Sequence, residues 1–122
     1  MRVLVVGNMT WDRVAGGRRP GGSVVYSSRV YAELGHQVTV LGHIDSPQAF
    51  DPGVELCAVG RDVAVFENLY DEEGTRRQKV WARGGPIEAL SDAAGFDWIH
   101  LAPVLAEIDL EGWMHRSTPI VA

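Results

Sequence analysis

The chain has 122 residues, of which 46% are hydrophobic, and its 11 basic and 16 acidic side chains give a net charge of −5. These values are typical of one soluble globular domain. An acidic chain without a basic stripe argues against nucleic-acid and anionic-membrane partners. Cys57 has no partner for an internal disulfide, and no apolar run approaches the roughly 20 residues of a membrane span. Because the N-terminus lacks the features of a secretion signal, we expect a cytoplasmic protein.

The N-terminal pattern predicts a βαβ unit. Residues 3–6 are a continuous apolar run closed by Gly7, as in a strand covered on both faces. A predicted helix at 23–34 leads to a second apolar strand at 37–41. Small or apolar residues recur along the helix every three or four positions, and Gly35 closes it. They are Val24, Val25, Ser28, Tyr31 and Ala32. We therefore expect parallel strands joined by a right-handed crossover.

The start of that helix is a candidate binding site. Gly21 and Gly22 can bring bare backbone close to a ligand because they have no side chain. The N–H groups of a first helical turn have no internal partner, so they can donate to a hydroxyl or an anion. Ser23 is a candidate cap for this turn. From the residues alone, a ligand-binding turn and an ordinary turn that binds nothing are both open.

Asp12 is a second candidate site residue. It lies in a predicted loop, residues 8–12, at the carboxyl end of the first strand, where open α/β sheets bind ligands. Its carboxylate can accept hydrogen bonds from two neighbouring hydroxyls at once. A surface ion pair with Arg13, Arg18 or Arg19 is the alternative interpretation.

The middle of the chain predicts a β-hairpin. A weakly alternating run at 54–59 precedes a clearer strand at 63–70, and residues 71–74 form a turn before a second arm at 75–81. Since the second arm is mostly polar, we expect the hairpin at a sheet edge or as a flap over a site. Its basic cluster is open to two interpretations, a phosphate clamp or a solvated charge pattern, and the acidic turn favours the second. The cluster is Arg76, Arg77 and Lys79.

The last third of the chain predicts a short helix at 86–90, a core strand at 97–102, a helix at 104–116 and a strand that begins at residue 119. That last strand ends as it enters the core, without the ladder partners and covering helix that it needs. We therefore expect the chain to be part of a longer protein.

Two further kinds of site are not predicted. Metal binding is not expected, because the histidines and the cysteine have no partner at metal-ligand spacing. They are His36, His43, His100, His115 and Cys57. A dinucleotide-dependent oxidoreductase is a weak alternative, because the residues after the first strand do not follow Gly-x-Gly-x-x-Gly.

Together these residues resemble the N-terminal half of the PfkB (ribokinase-like) carbohydrate kinase family. The resemblance rests on an apolar strand ending in Gly7, an aspartate five residues later, and the pair Gly21 and Gly22 opening a helix that leads into a second strand. The later segments 66–70 and 98–103 follow the family's order of elements. The resemblance covers essentially the whole chain, and the glycine pair is its most specific part.

The resemblance implies an α/β fold with a ribokinase-like parallel-sheet core of βαβ units and a small β lid. Residues 1–122 would then be the N-terminal part of one domain, with lid strands at about 54–82. The implied activity is transfer of the ATP γ-phosphoryl group, with Mg²⁺, to a hydroxyl of a sugar, polyol or nucleoside. A homodimer through the lid edge is also compatible with it. A non-catalytic binding or interaction module on the same fold is the alternative function.

The resemblance also implies site residues. Asp12, Gly21 and Gly22 occupy the family positions that hold the acceptor's hydroxyls, and Ser23 follows them. The family commonly has asparagine four residues after the second glycine, whereas this chain has Tyr26. Tyrosine keeps a hydroxyl but fills more volume, so we expect an acceptor that differs in size or shape from ribose or fructose, as in inositol or nucleoside kinases.

Two other departures concern missing segments. The segment after Gly42 is shorter than usual in the family, with Ser46 and Pro47 where a glycine-containing loop and a helix usually follow. The family's Gly-x-Gly-Asp segment, which supplies the catalytic base and the anion hole, belongs to its C-terminal half. No residue here matches it, and no Gly-x-x-x-x-Gly-Lys-Ser/Thr loop replaces it. We therefore assign no catalytic residue to this chain.

Overall fold

The computed structural model describes residues 1–90, 93–114 and 116–122, which form a five-stranded and a four-stranded sheet. The strands are β1 (Arg2–Val6), β2 (Thr10–Val14), β3 (Gly17–Gly21), β4 (Gln37–His43), β5 (Glu55–Gly60), β6 (Ala64–Tyr70), β7 (Arg76–Arg83), β8 (Trp98–Leu101) and β9 (Ile120–Val121). The helices are α1 (Ser23–Glu33) and α2 (Leu110–Trp113), with a 3₁₀ turn at Pro47–Ala49. No helix in these ranges is long and apolar enough to cross a membrane.

The five-stranded sheet is parallel throughout, in the order β5-β4-β1-β8-β9. Its centre is β1, whose residues from Val3 to Val6 are fully buried. Alternate side chains of this strand enter two different cores. Val3 and Val5 pack in a cluster with residues of α1, whereas Leu4 and Val6 pack in a cluster that contains Trp113. The predicted strand covered on both faces, and its parallel pairing with β4, are confirmed.

Helix α1 covers one face of the sheet, with Val24 and Val25 in the core. It ends in a Schellman motif, because Gly35 N–H donates to Ala32 C=O and His36 N–H donates to Tyr31 C=O. Gly35 has the expected positive φ, at 89°. The predicted closing glycine is therefore confirmed.

The predicted loop at residues 8–12 is wrong at its end, because Thr10–Val14 forms β2. This strand pairs antiparallel with β3 and parallel with β6, so that Asp12 lies between Arg19 and Phe66. The turn between β2 and β3 contains Gly16 at a φ of 83°, a conformation that favours glycine. Its flanking strands are polar and mostly exposed, so they lack the apolar alternation by which strands are usually predicted.

The four-stranded sheet, hereafter the small sheet, has the order β3-β2-β6-β7. The predicted hairpin is confirmed as the antiparallel pair β6 and β7. The range of about 54–82 given to the lid strands needs correction, because it includes β5 and leaves out β2 and β3. Strand β5 pairs with β4 in the parallel sheet, and the hairpin of β2 and β3 belongs to the small sheet. A weakly alternating run such as 54–59 cannot show from sequence which sheet edge supplies its hydrogen-bond partners.

The predictions for the C-terminal third are confirmed for the strands and wrong for the helices. β8 and β9 lie where strands were predicted. The predicted helix at 86–90 does not form, and Ile87 instead makes a bridge to Ile108. The predicted helix at 104–116 is reduced to the one turn of α2, and His115 lies outside the described residues. The Glu107 carboxylate accepts hydrogen bonds from the N–H groups of Val104 and Leu105, which stabilises a loop in place of a helix.

Glycines allow the parallel strands to approach closely at their carboxyl ends. A β carbon at Gly42 would lie 1.9 Å from the carbonyl oxygen of Gly7, and one at Gly7 would lie 2.3 Å from the carbonyl oxygen of Ala102. Neither obstacle is a side chain that can rotate away. The sheet edge that carries the loops therefore depends on these two residues being glycine.

We expect Gly42→Ala to destabilise the protein by about 1–3 kcal/mol, because its β carbon can be accommodated only by moving backbone. The measurement is the free energy of unfolding in urea. Gly53→Ala is the matched control, since a β carbon there would meet only Oδ1 of Asp51, at 3.2 Å. Equal stability of the two variants would contradict the close-approach argument.

Candidate functional site

The structure brings Asp12 and Gly21 together. Thr10 pairs with Gly21 across β2 and β3, and Asp12 is the next residue on the same face of β2. Oδ2 of Asp12 lies 2.6 Å from the position that a β carbon at Gly21 would occupy, and Oγ1 of Thr10 lies 3.2 Å from it. Any side chain at position 21 would displace the half-buried carboxylate. The glycine thus leaves room for an acceptor of hydrogen bonds beside the backbone.

Gly22 completes the turn into α1. Its φ of 100° favours glycine, and a β carbon there would lie 3.0 Å from the carbonyl oxygen of Asn8. Gly22 is also the N-cap of α1, and no side chain caps the helix. The prediction that Ser23 caps this turn is therefore wrong, because Ser23 is the first helical residue. The N–H groups of this turn remain free of side-chain caps next to Asp12 and Gly21.

Ser23 and Tyr26 lie near the same helix start. Both are exposed, and Tyr26 is 54% exposed. Residues three positions apart share a face of a helix, so the two hydroxyls lie on one side of the first turn. The structure therefore groups the five predicted site residues at the junction of the small sheet and α1.

Trp11 connects the opposite face of β2 to the parallel sheet. Its Nε1 donates to Oδ2 of Asp45 at 2.6 Å, and Asp45 also pairs with Arg61 at 3.1 Å. The Arg18 guanidinium lies 3.9 Å from the centroid of the Trp11 ring. The hydrogen bond from Trp11, followed by that from Arg61, holds the pKa of Asp45 below its ordinary value. Arg18, one of the three arginines named as alternative partners of Asp12, therefore stacks on Trp11.

A buried polar network lies beneath the candidate site. Asn8 is fully buried, and its Nδ2 donates to the carbonyl oxygen of Gly85 at 2.7 Å while its Oδ1 accepts from His43 N–H at 2.9 Å. Its own N–H donates to Oε2 of Glu107 at 3.2 Å. Sequence reasoning missed Glu107 and placed Asn8 only in a loop. The available signal was an amide two residues after the first strand, at the end of the sheet that carries ligand sites.

The basic cluster of β7 lies apart from this network. Arg76, Arg77 and Lys79 are exposed, and Nζ of Lys79 lies 3.8 Å from the centroid of the Trp81 ring. Arg13 lies 3.9 Å from the centroid of the same ring. Within the described ranges, no group of three or more His, Cys, Asp or Glu side chains is arranged to hold a metal ion.

Comparison with solved structures identifies the fold. Ribokinase from Cryptococcus neoformans var. grubii serotype A in complex with ADP has a TM-score of 0.64 and 16% identity, and the match covers 98% of this chain and 48% of that chain. A pyrophosphate-dependent kinase in the ribokinase family, complexed with a pyrophosphate analog and myo-inositol, has a TM-score of 0.63 and 23% identity, covering 89% and 43%. Arabidopsis thaliana ribokinase complexed with ribose and ATP has a TM-score of 0.51 and 15% identity, covering 88% and 46%.

These matches confirm the predicted ribokinase-like α/β fold. The chain spans less than half the length of the solved chains that it matches. No family model and no curated protein matches the sequence. At these identities the similarity establishes the fold and leaves the activity to be argued from the site.

The Asp45 carboxylate makes a pH-dependent contribution to stability. Its pKa is lower in the folded protein than its ordinary value of 3.8, so its contribution is present above that value and is lost as the pH falls through the folded pKa. When the pH is lowered from about 5 to about 3, we expect the unfolding free energy of Asp45→Asn to fall by less than that of the parent. The measurement is urea unfolding at both pH values. A parental slope in Asp45→Asn would contradict the assignment.

Proposed function

We propose that residues 1–122 are the acceptor-binding and lid part of a small-molecule kinase that transfers the γ-phosphoryl group of ATP to a hydroxyl of a sugar, polyol or nucleoside. The observation that carries this proposal is the placement of the Asp12 carboxylate against the bare backbone of Gly21, beside the uncapped start of α1. On such a surface the carboxylate can accept hydrogen bonds from the hydroxyls of a ligand, and the N–H groups can donate hydrogen bonds to neighbouring hydroxyls of the same ligand.

The chemistry of phosphoryl transfer suits such a site. The transition state needs little covalent help from the protein, so most of the catalysis comes from positioning and from charge stabilisation. In this proposal Asp12 and the backbone at Gly21 and Gly22 fix the acceptor, with Ser23 and Tyr26 at its edge. The catalytic base is supplied by residues outside this chain.

The small sheet has the lid role in this proposal. Asp12 lies on β2, so a ligand held by Asp12 also touches the small sheet. Phe66 is the cross-strand partner of Asp12 and is 6% exposed. This face of the small sheet therefore has a buried aromatic side chain beside the carboxylate. A sheet that contacts the acceptor can exclude water from the reacting groups.

The exposed Tyr26 directs the choice of acceptor. A phenol ring at this position occupies more volume than an amide and offers a flat face to the carbon-bound hydrogens of a ring. One structure similar to this chain is a kinase complexed with myo-inositol. A cyclic polyol is therefore the first acceptor to test, before ribose and nucleosides.

The phosphoryl donor is proposed by comparison. Two similar ribokinases were solved with ADP or with ATP, which supports ATP, and a third similar kinase is pyrophosphate-dependent. Mg²⁺ accompanies ATP in such reactions by neutralising the charge of the transferring group. The described residues of this chain do not form a metal site. A cytoplasmic location belongs to the same proposal.

An interaction module is the alternative function, and the free edge of the small sheet is the feature that favours it. Strand β7 is the last strand of the order, and its Val80 and Trp81 are 38% and 45% exposed. An exposed edge with apolar side chains can pair with a second copy of the chain. Val65 and Leu69 lie on β6, which is paired on both sides along part of its length, so an edge contact on this side of the small sheet would use β7.

The kinase proposal predicts that Asp12→Ala in the complete protein raises the KM for the acceptor about 10- to 100-fold. The physical reason is the loss of charge-assisted hydrogen bonds to its hydroxyls, worth about 1.5–3 kcal/mol. The KM for the phosphoryl donor should change less than about twofold. The assay is a panel of cyclic polyols, sugars and nucleosides, each with ATP and with pyrophosphate.

Asp51→Ala is the control, because Asp51 lies in the loop after β4 and its carboxylate accepts from Gly53 N–H. An unchanged acceptor KM in Asp12→Ala would remove this residue from the site. Absence of transfer to every acceptor in the panel by the parent protein would count against a kinase of this class.

The edge-pairing alternative predicts self-association that Val80→Lys weakens at least about tenfold, because a charge would be placed in the contact. Sedimentation velocity over a concentration series measures it. Leu110→Lys on α2 is the control, since Leu110 is 48% exposed and lies away from the small sheet. Association that is equally strong in both variants would exclude β7 as the contact.

A further inference from the structure

The chain passes between the small sheet and the rest of the fold at four connections. Residues 7–9 lead from β1 to β2, and Gly22 leads from β3 to α1. Residues 61–63 lead from β5 to β6, and residues 84 and 85 leave β7. The position of the small sheet relative to the parallel sheet depends on how these four connections are held.

All four connections come together around Asn8. Asn8 itself belongs to the first, and its carbonyl oxygen lies 3.0 Å from the position of a β carbon at Gly22 in the second. Its Nδ2 donates to the carbonyl oxygen of Gly85 in the last, at 2.7 Å. Gly85 N–H in turn donates to the carbonyl oxygen of Asp62 in the third, also at 2.7 Å. One amide side chain therefore links the entry and the exit of the small sheet.

Asn8 is also fixed to the parallel sheet. Its Oδ1 accepts from His43 N–H at the end of β4, and its N–H donates to Glu107, which follows β8. Glu107 is 5% exposed and its carboxylate also accepts the N–H groups of Val104 and Leu105 at 2.8 Å. A buried carboxylate bonded to three backbone N–H groups has little freedom to move. Asn8 is thus tied to a rigid point on the parallel-sheet side.

The chemistry at this position requires an amide. The two bonds of the side chain need one donor, for Gly85, and one acceptor, for His43. Asparagine supplies both at a fixed separation, whereas a carboxylate supplies acceptors only. Because the group is fully buried, each unmade bond would leave a polar backbone group without a partner.

We propose that Asn8 is a positioning residue, which fixes the small sheet against the parallel sheet and thereby places the Asp12 carboxylate over the start of α1. Asn8 is inaccessible to ligand, so it acts through Asp12, four residues along the chain. The part of this inference that concerns catalysis rests on the proposed function, whereas the part that concerns the sheets does not. Asn8→Asp keeps the volume and the acceptor for His43, and it replaces the amide donor to Gly85 with a carboxyl group in a fully buried position.

The experiment measures the distance between α1, which packs on the parallel sheet, and β7 of the small sheet. The method is pulsed electron paramagnetic resonance on the complete protein. Spin labels are attached at Arg29→Cys on α1 and Arg77→Cys on β7, both exposed, in a Cys57→Ser background. We expect Asn8→Asp to broaden or shift the distance distribution. The control is Asn68→Asp. In the parent protein the Asn68 side chain lies on β6, and its Oδ1 accepts a long 3.5 Å contact from Gln78. Asn8→Ala, which removes both side-chain bonds, provides a second variant, and circular dichroism checks that each is folded.

A distribution equal to that of the parent in a folded Asn8 variant would overturn the proposal. A broadened distribution together with a kcat/KM for the acceptor lowered about 10- to 100-fold, as expected for a displaced binding group, supports it fully. A broadened distribution with an unchanged acceptor kcat/KM would overturn the link to Asp12. If the parent transfers no phosphoryl group, the proposed function fails, and the distance measurement still decides the role of Asn8 in holding the sheets.

Discussion

The burial of β1 is the constraint on which the rest of the structure depends. Its residues Val3 to Val6 are fully buried, and its two edges are occupied by β4 and β8 in parallel register. A strand with no exposed face and no free edge cannot shift by one residue, since every side chain would change core. Its carboxyl end is therefore a fixed point, and Gly7 and Gly42 allow the neighbouring backbones to close around it.

The candidate site is built outward from this fixed point. Asn8 lies two residues after β1, bonds to backbone groups of β4 and of the segment after β7, and lies beneath the turn at Gly22. The chain continues from Asn8 into β2, where Asp12 lies against Gly21. On the other face of β2, Trp11 is hydrogen-bonded to Asp45 after β4. The small sheet is thus tied to the parallel sheet through Asn8 and through Trp11, which positions a carboxylate beside uncapped helical N–H groups.

The sequence predicted the buried elements well and the polar ones poorly. The apolar runs of β1 and β4 and the periodicity of α1 reflect burial directly, so these elements were predicted from the local sequence pattern. The hairpin of β2 and β3 was missed because its side chains are mostly exposed and carry no alternation. The helix at 104–116 was predicted from spaced apolar residues, but the Glu107 carboxylate binds the backbone N–H groups of a loop there.

The sequence by itself determined the parallel sheet, the glycine start of α1 and the identity of the candidate site residues, because these follow from local periodicity, from glycine geometry and from a resemblance carried by the residues themselves. Only the tertiary structure decided which sheet β5 joins, how Asp12 reaches Gly21, and that Asn8 and Glu107 meet 99 positions apart. The physical reason is that hydrogen bonds between distant backbone segments depend on which edges and loop ends are brought together. No local pattern of side chains specifies which distant segments come into contact.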